Sequence, residues 1–459
     1  MHESCGIFGV YAPGLDIARL TFFALFALQH RGQEGAGIAV TDGDSLSVSA
    51  GPGLVSHVFE EDDLSRLTGY ASVGHTCYSA AGSHAPAVIQ PITVQMGEWR
   101  LAVAHNGNIA NSVALRSELE TQGCCFETTC DAEIIARLIA TAHGGTWQEK
   151  VAHSLPRLQG SYSLAILTPE TLIAARDPLG VRPLCMGTLD GGRVVASESC
   201  ALDHIGARFE RDVLPGETVF INTGQSSYVQ QKDGKRASCV FEHIYFARPD
   251  STIEGRLVYR ARLAMGAKLA EEYPVDADLV VGVPDSATAA AIGYSQASGI
   301  PYREGLLKNR YVGRTFIAPD QRLRDLGVQL KFNPLASIIR GKRIIVVDDS
   351  IVRGTTTPHV VNLLKQAGAS EVHLRICAPP LRHPCALGVD MASEWELIAA
   401  KMSVPEIQKY LEVDSLGYLS IEGLIKAVGL PRERLCLACI NGEYPLPVQM
   451  GFAGLGMET

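Results

Sequence analysis

Hydrophobic and polar positions follow two rhythms along this chain, and the change of rhythm divides it. In the first half, short apolar runs stand between Gly and Asp punctuation. Ile7–Ala12, Ala36–Thr41, Leu101–Ala104, Ser163–Leu167 and Thr218–Ile221 read as strands. Ile17–Leu28 is a strongly apolar helix, and Asp131–Ala142 carries apolar residues at helical spacing. The stretch from Asn222 to Ser238 is polar and reads as a domain junction. Beyond it, helical patterns alternate with apolar runs. Leu279–Val283 and Ile344–Val347 are wholly apolar, as expected of parallel strands covered on both faces. Ser251-Thr252-Ile253-Glu254 has the spacing of a capping box and predicts a helix from about Gly255 to Glu272. From Glu394 onward the pattern predicts mainly helices and loops.

Composition narrows the class. A chain of 459 residues supports two or three domains with large cores. No apolar run approaches the ~20 residues needed to span a bilayer, so no membrane association is expected. A net charge of −9 argues against nucleic acid as a main partner. Twelve cysteines without a secretion signal suggest a reducing cytoplasm, with metal-binding or catalytic thiols rather than disulfides.

Two segments carry chemistry. Cys5 opens the run Cys5-Gly6-Ile7-Phe8-Gly9-Val10. If residues 1–4 are a leader removed on maturation, its thiol stands beside its own α-amine, whose ordinary pKa is about 7.7–8.0. Nucleophile and general base then share one residue. In the second half, the strand Arg343–Val347 ends at Asp348-Asp349. The loop Ser350-Ile351-Val352-Arg353-Gly354-Thr355-Thr356 follows, and a helix is expected near Thr357 with Pro358 in its first position. Loop N–H groups, hydroxyls and a helix N-terminus at the carboxyl end of a buried strand suit a phosphate. Twin carboxylates beside it suit sugar hydroxyls and a Mg²⁺ that carries a diphosphate.

This second string resembles the fingerprint of the type I phosphoribosyltransferases. The resemblance implies that Asp348 and Asp349 contact ribose and metal, and that Ser350, Gly354, Thr355 and Thr356 grip the 5′-phosphate. Gly282-Val283-Pro284-Asp285-Ser286 is similar to the family's diphosphate-side loop, with Ser286 near the Mg²⁺, one per subunit. The basic stretch from Lys308 through Arg310 and Arg314 to Lys331 resembles the mobile loop that closes over diphosphate.

Across its length the chain resembles the glutamine phosphoribosylpyrophosphate amidotransferase family. Leu28-Gln29-His30-Arg31-Gly32, Ala104-His105-Asn106-Gly107-Asn108, Ala175–Leu184 and Tyr245–Ser251 carry that likeness. It implies an αββα sandwich glutaminase domain with an N-terminal nucleophile (5–235), an α+β unit. It also implies an α/β phosphoribosyltransferase domain with a parallel sheet and a helical C-terminal tail (236–459). Cys5 would attack the glutamine amide, with Asn106 and Gly107 as the oxyanion hole. Asp131 would pair with the substrate's α-amine, and Arg31 would lie near the nucleophile. Released ammonia would displace diphosphate from phosphoribosyl pyrophosphate, the first committed step of purine synthesis. Purine nucleotides are expected inhibitors, and a homo-oligomer, tetramer or dimer, is expected. Cys239, Cys385, Cys436 and Cys439 resemble the ligands of one [4Fe–4S] cluster per subunit in the iron–sulfur-containing subgroup; zinc is the alternative. Cys124, Cys125, Cys130, Cys185, Cys200 and Cys377 are expected to be core packing.

The chain departs from the family at Cys77 and Ala80, where arginine and threonine are usual. Cysteine cannot make the bidentate pair that arginine makes with a carboxylate. Two further readings are therefore an ammonia-dependent transferase with an impaired glutaminase half, and a non-catalytic regulator that binds phosphoribosyl pyrophosphate.

Overall fold

Both faces of the central first-half strands are buried, because two antiparallel sheets lie against each other and each is covered outside by helix. The structure is a computed structural model describing residues 5–78, 88–223, 225–230, 235–309, 331–389 and 394–447. Residues 1–4, Ala80, Arg310 and Arg314 lie outside the described residues.

In the seven-stranded sheet, β1 (Gly6–Tyr11) lies between Gly192–Ala196 and β2 (Ala71–Cys77). In the six-stranded sheet, β3 (Trp99–Ile109) pairs with β4 (Gly160–Leu167). Ile7, Tyr11 and Val73 from one sheet interdigitate with Ala104, Ala165 and Leu172 from the other. α1 (Ile17–Ala27) buries Ala24 and Leu25 on the outer face of the first sheet. α2 (Asp131–Thr141) does the same for the second with Ile134, Ile135 and Leu138. The layer order is thus helix, sheet, sheet, helix. It puts the chain segments just before β1 and along β3 within reach of one another, although about a hundred residues separate them.

The second half is built on four parallel strands in the order β5 (Leu279–Gly282), β6 (Arg343–Asp348), β7 (Glu371–Ile376) and β8 (Ser415–Tyr418). Alternate side chains of β6 point to opposite faces. Ile345 and Val347 join α3 (Val258–Glu272) and α4 (Thr288–Ser298) through Met265, Leu269 and Tyr294. Ile344 and Val346 join α5 (Thr356–Gln366) through Val360, Val361 and Leu364.

Several expectations are corrected. The capping box at Ser251 does not form. Glu254 and Gly255 both adopt positive φ, 50° and 69°, and turn Thr252–Ile253 back on Arg256–Leu257 as a hairpin. Ser251 Oγ instead donates to Glu198 at 2.6 Å, and the helix begins at Val258. The polar stretch after Asn222 contains the edge strand Gln225–Gln230. Its polar composition reflects its place at the sheet edge. α5 begins at Thr356, so Pro358 is its third residue. The chain after Glu394 supplies β8 to the parallel sheet. Cys125 is exposed, unlike the other five unassigned thiols, because it follows Cys124 in a surface turn.

Candidate active site

The two facing sheets each contribute one part of a buried pocket. Cys5 enters β1 at zero exposure, and its N–H donates to Asn106 Oδ1 at 3.2 Å. Asn106 is fully buried on β3, and its Nδ2 has no hydrogen-bond partner among the described residues. A buried amide donor without an acceptor costs about 1–3 kcal/mol, so it is retained where something arrives to accept from it. Gly107 follows with φ 153°, and a Cβ there would run into the Ser161 carbonyl. Only glycine fits, and its N–H lies beside the Asn106 amide. Asp131 starts α2 and accepts from Ile109 N–H at 2.8 Å, two residues beyond Gly107. Burial pushes its carboxyl up to about 6, partly offset by that hydrogen bond. The two histidines on the facing strands are neutral: burial lowers His75 on β2 to about 3 and His105 on β3 to about 4.

Arg31 is drawn into a buried ion network. Its Nε donates to Glu198 and its Nη2 to Glu242, each at 2.5 Å. Burial alone would lower its pKa, but the two carboxylates outweigh that and raise it. Arg182 donates to the same Glu242 at 3.3 Å, and His30 meets Glu198 at 2.6 Å. Glu198 also accepts from Arg248 N–H at 2.8 Å and from Ser251. The network ties the glutaminase-like sandwich to the segment that follows it. No sequence pattern pointed to Glu198 or Glu242, and the Ala175–Leu184 motif gave Arg182 no partner, because these pairings span 50 to 211 residues. Cys77 ends β2, fully buried, with its thiol 3.8 Å from the Val88 carbonyl.

The second pocket lies at the carboxyl end of β6. Asp349 is hydrogen-bonded by Ser286 and by Ser350, the latter at 2.5 Å, and Asp349 N–H donates to Asp348 Oδ1 at 2.9 Å. Burial pushes both carboxyls up, and repulsion from Asp349 adds to it at Asp348, which sits well above its ordinary value. A divalent cation would relieve that repulsion, so the donor set fits Mg²⁺. The turn at Gly354, φ 69°, leads through Thr355 into α5, whose N-terminal N–H groups face the same end of the sheet. Lys308 lies on a short strand paired with Phe332–Pro334 and donates to Asp285 at 2.7 Å. Buried Arg262 binds the carbonyls of His243, Tyr245 and Ala247 and holds down the Asp349 carboxyl electrostatically.

Cys239, Cys385, Cys436 and Cys439 line one cavity with Val181, Leu387 and Val389. Parallel pairing puts Cys239 directly beside Cys436. Burial, and the neighbouring thiols with it, raise Cys239, Cys436 and Cys439. Among the described residues, no three His, Cys, Asp or Glu side chains form a group that could hold a single metal ion. Four thiols around one apolar cavity, Cys239 and Cys439 buried and Cys385 and Cys436 partly so, suit a polynuclear cluster in donor type and number.

The class follows from the sandwich together with its match: residues 81–204, which lie within it, match a family model described as a glutamine amidotransferase domain. The amidophosphoribosyltransferase of Synechocystis is 51% identical over 97% of this chain and 92% of its own length. That of Methanocaldococcus jannaschii is 47% identical over 97% of this chain and 98% of its own. A Bacillus subtilis glutamine phosphoribosylpyrophosphate amidotransferase, solved with ADP and GMP, superposes with a TM-score of 0.92 at 44% identity, covering 97% of this chain and 98% of that one. The chain belongs to the amidophosphoribosyltransferase family.

Proposed function

We propose that this chain makes 5-phosphoribosylamine, glutamate and diphosphate from phosphoribosyl pyrophosphate, glutamine and water, at the entry to purine synthesis. The observation that carries the glutaminase half is Asn106: its carbonyl oxygen holds Cys5 N–H while its buried Nδ2 lacks an acceptor. Once residues 1–4 are removed, the Cys5 amine takes the thiol proton, and sulfur attacks the glutamine amide carbon. The oxyanion that forms accepts from Asn106 Nδ2 and Gly107 N–H. The amine proton then goes to the leaving ammonia, and a water deprotonated by the same amine attacks the thioester carbon, breaking the bond to sulfur, so that glutamate leaves and the proton returns to the Cys5 thiol. Asp131, ionised above about pH 6, pairs with the substrate's α-amine. In the transferase half, ammonia nitrogen bonds to the anomeric carbon as the bond to diphosphate oxygen breaks. Asp348, Asp349 and Ser286 would hold Mg²⁺, which neutralises the departing diphosphate. Ser350, Gly354, Thr355 and Thr356 cradle the 5′-phosphate, and Lys308, Arg310 and Arg314 serve the diphosphate side. The division 5–235 and 236–459 is part of this reading.

Whole-length identity near half supports the complete amidotransferase over the ammonia-dependent and regulatory readings. The Bacillus relative solved with ADP and GMP, and a 44% identical structure described as an allosteric regulatory enzyme of purine biosynthesis, support inhibition by purine nucleotides. The four-thiol cavity supports one [4Fe–4S] cluster that braces residues 239, 385, 436 and 439. Diphosphate release with glutamine and with ammonia tests the activity. Both sources should work, and failure with both refutes the reading. Iron and sulfide analysis, with zinc measured alongside, tests the cluster.

A further inference from the structure

The loop from Cys385 to Gly388 leaves the thiol-lined cavity and lies directly on the strand that carries the oxyanion donors. Asn108 Nδ2 donates to the Ala386 carbonyl at 2.9 Å. Ser161 Oγ donates to the Leu387 carbonyl at 2.8 Å. Gly388 has φ 86°, and a Cβ on it would stand 2.8 Å from the Gly107 carbonyl carbon, 3.0 Å from Gly107 Cα and 3.0 Å from Arg182 Nη2. Two of those atoms are backbone of the oxyanion-hole residue itself and cannot turn aside. The loop is held from behind. Leu387 and Val389 are buried in the core that contains Cys239 and Cys439. The Arg382 and His383 N–H groups donate to the Cys439 carbonyl at 3.0 and 3.1 Å, and Tyr444 donates to the Pro384 carbonyl at 2.5 Å. Gly107 is therefore confined between Ser161 on its partner strand and Gly388 of a loop whose Ala386, bonded to Asn108, is 278 residues from it in sequence.

We propose that this loop sets the position of the oxyanion donors, and that Gly388 is a positioning residue for glutamine hydrolysis supplied by the transferase half. The proposal rests on reading Asn106 and Gly107 as those donors. An oxyanion donor acts only if it lies at hydrogen-bond distance from the charge that develops, so a displacement below 1 Å weakens the transition state more than substrate binding.

The test uses the intact holoenzyme with Gly388→Ala and, separately, Ser161→Ala, which removes one loop contact and adds no bulk. Glutamine-dependent and ammonia-dependent turnover are measured together. For Gly388→Ala, glutamine kcat should fall about 10- to 100-fold, with glutamine KM and the ammonia rate held within about twofold. Ser161→Ala should show the same split at several-fold. Unchanged glutamine kcat in Gly388→Ala overturns the proposal, and so does a parallel loss of both activities there. Cys5→Ala is the reference for lost glutamine use. Glutamine turnover surviving in Cys5→Ala would overturn the nucleophile reading instead, whichever way Gly388→Ala behaves.

Discussion

The two pockets of this chain prepare for charge in opposite ways. Around Cys5 the groups that meet the developing charge are neutral: a buried amide donor and a glycine N–H, with histidines lowered by burial to about 3 and 4. Charge stands only to the side, on Asp131 and Arg182, and the antiparallel scaffold holds the donors in place beforehand. At Asp348 and Asp349 two acids share one buried corner, both carboxyls raised by burial and Asp348 further by Asp349, so that a cation favours their full ionisation. The first pocket has its oxyanion donors set as folded, whereas the second needs a cation to become favourable. Rigidity serves the step that generates charge, and paired acids that a cation ionises serve the step that must recruit a charged substrate.

The sharpest way to break this contrast is mutation at each centre. Cys5→Ala should lower glutamine-dependent turnover by more than about 10³-fold, and Asn106→Ala by about 10²- to 10³-fold in kcat. Asp349→Asn should instead depress product formation with either nitrogen source. A variant at Asn106 that lost ammonia-dependent activity equally would erase the distinction. Next comes the joint between the pockets. Glu242→Gln strips Arg31 and Arg182 of a buried partner and should reduce unfolding free energy by about 3–5 kcal/mol in denaturant titrations. A loss below 1 kcal/mol would mean that the network is not what joins the two parts.

Smaller effects concern pH. The folded carboxyls of Asp348 and Asp349 sit above their unfolded values, so their protonated forms favour folding at low pH. That contribution disappears as pH rises through the folded values. Metal-free protein should therefore lose melting temperature with rising pH from the acid carboxylate range upward. Mg²⁺ should restore it, and Asp348→Asn should flatten the slope. Last, Asp131 titrates near 6 when folded. Its protonated form likewise stabilises the fold below its unfolded value, a contribution gone above about 6, while its ionised form is the one that pairs with an amine. Glutamine KM should climb severalfold as pH drops from 7 through 6, and a flat profile would remove Asp131 from that role.

Local pattern carried much of this molecule. The apolar runs at Ile7, Ala36, Leu279 and Ile344 located strands of two sheets, because a strand covered on both faces is apolar along its whole length. Asp348-Asp349 and the glycine–threonine loop were legible because ligand loops at strand ends are contiguous in sequence. At Ser251 local pattern failed: a capping-box spacing lost to a hairpin once Glu198, 53 residues away, took the serine hydroxyl. The same holds for Arg31. Its sequence context placed it near the nucleophile, and tertiary structure bound its guanidinium to two buried glutamates.

What the sequence determined by itself was the set of chemical groups and the elements that carry them: a thiol before the first strand, an Asn-Gly pair, two adjacent acids, four cysteines. Only the tertiary structure decided which of them meet. It set Asn106 against Cys5 across two facing sheets, Ser286 against Asp349, the four thiols around one cavity and Gly388 against Gly107. Periodicity is written by neighbours one to four residues apart. A contact between residues a hundred or more positions apart follows from the packing of whole layers, and no local pattern records it.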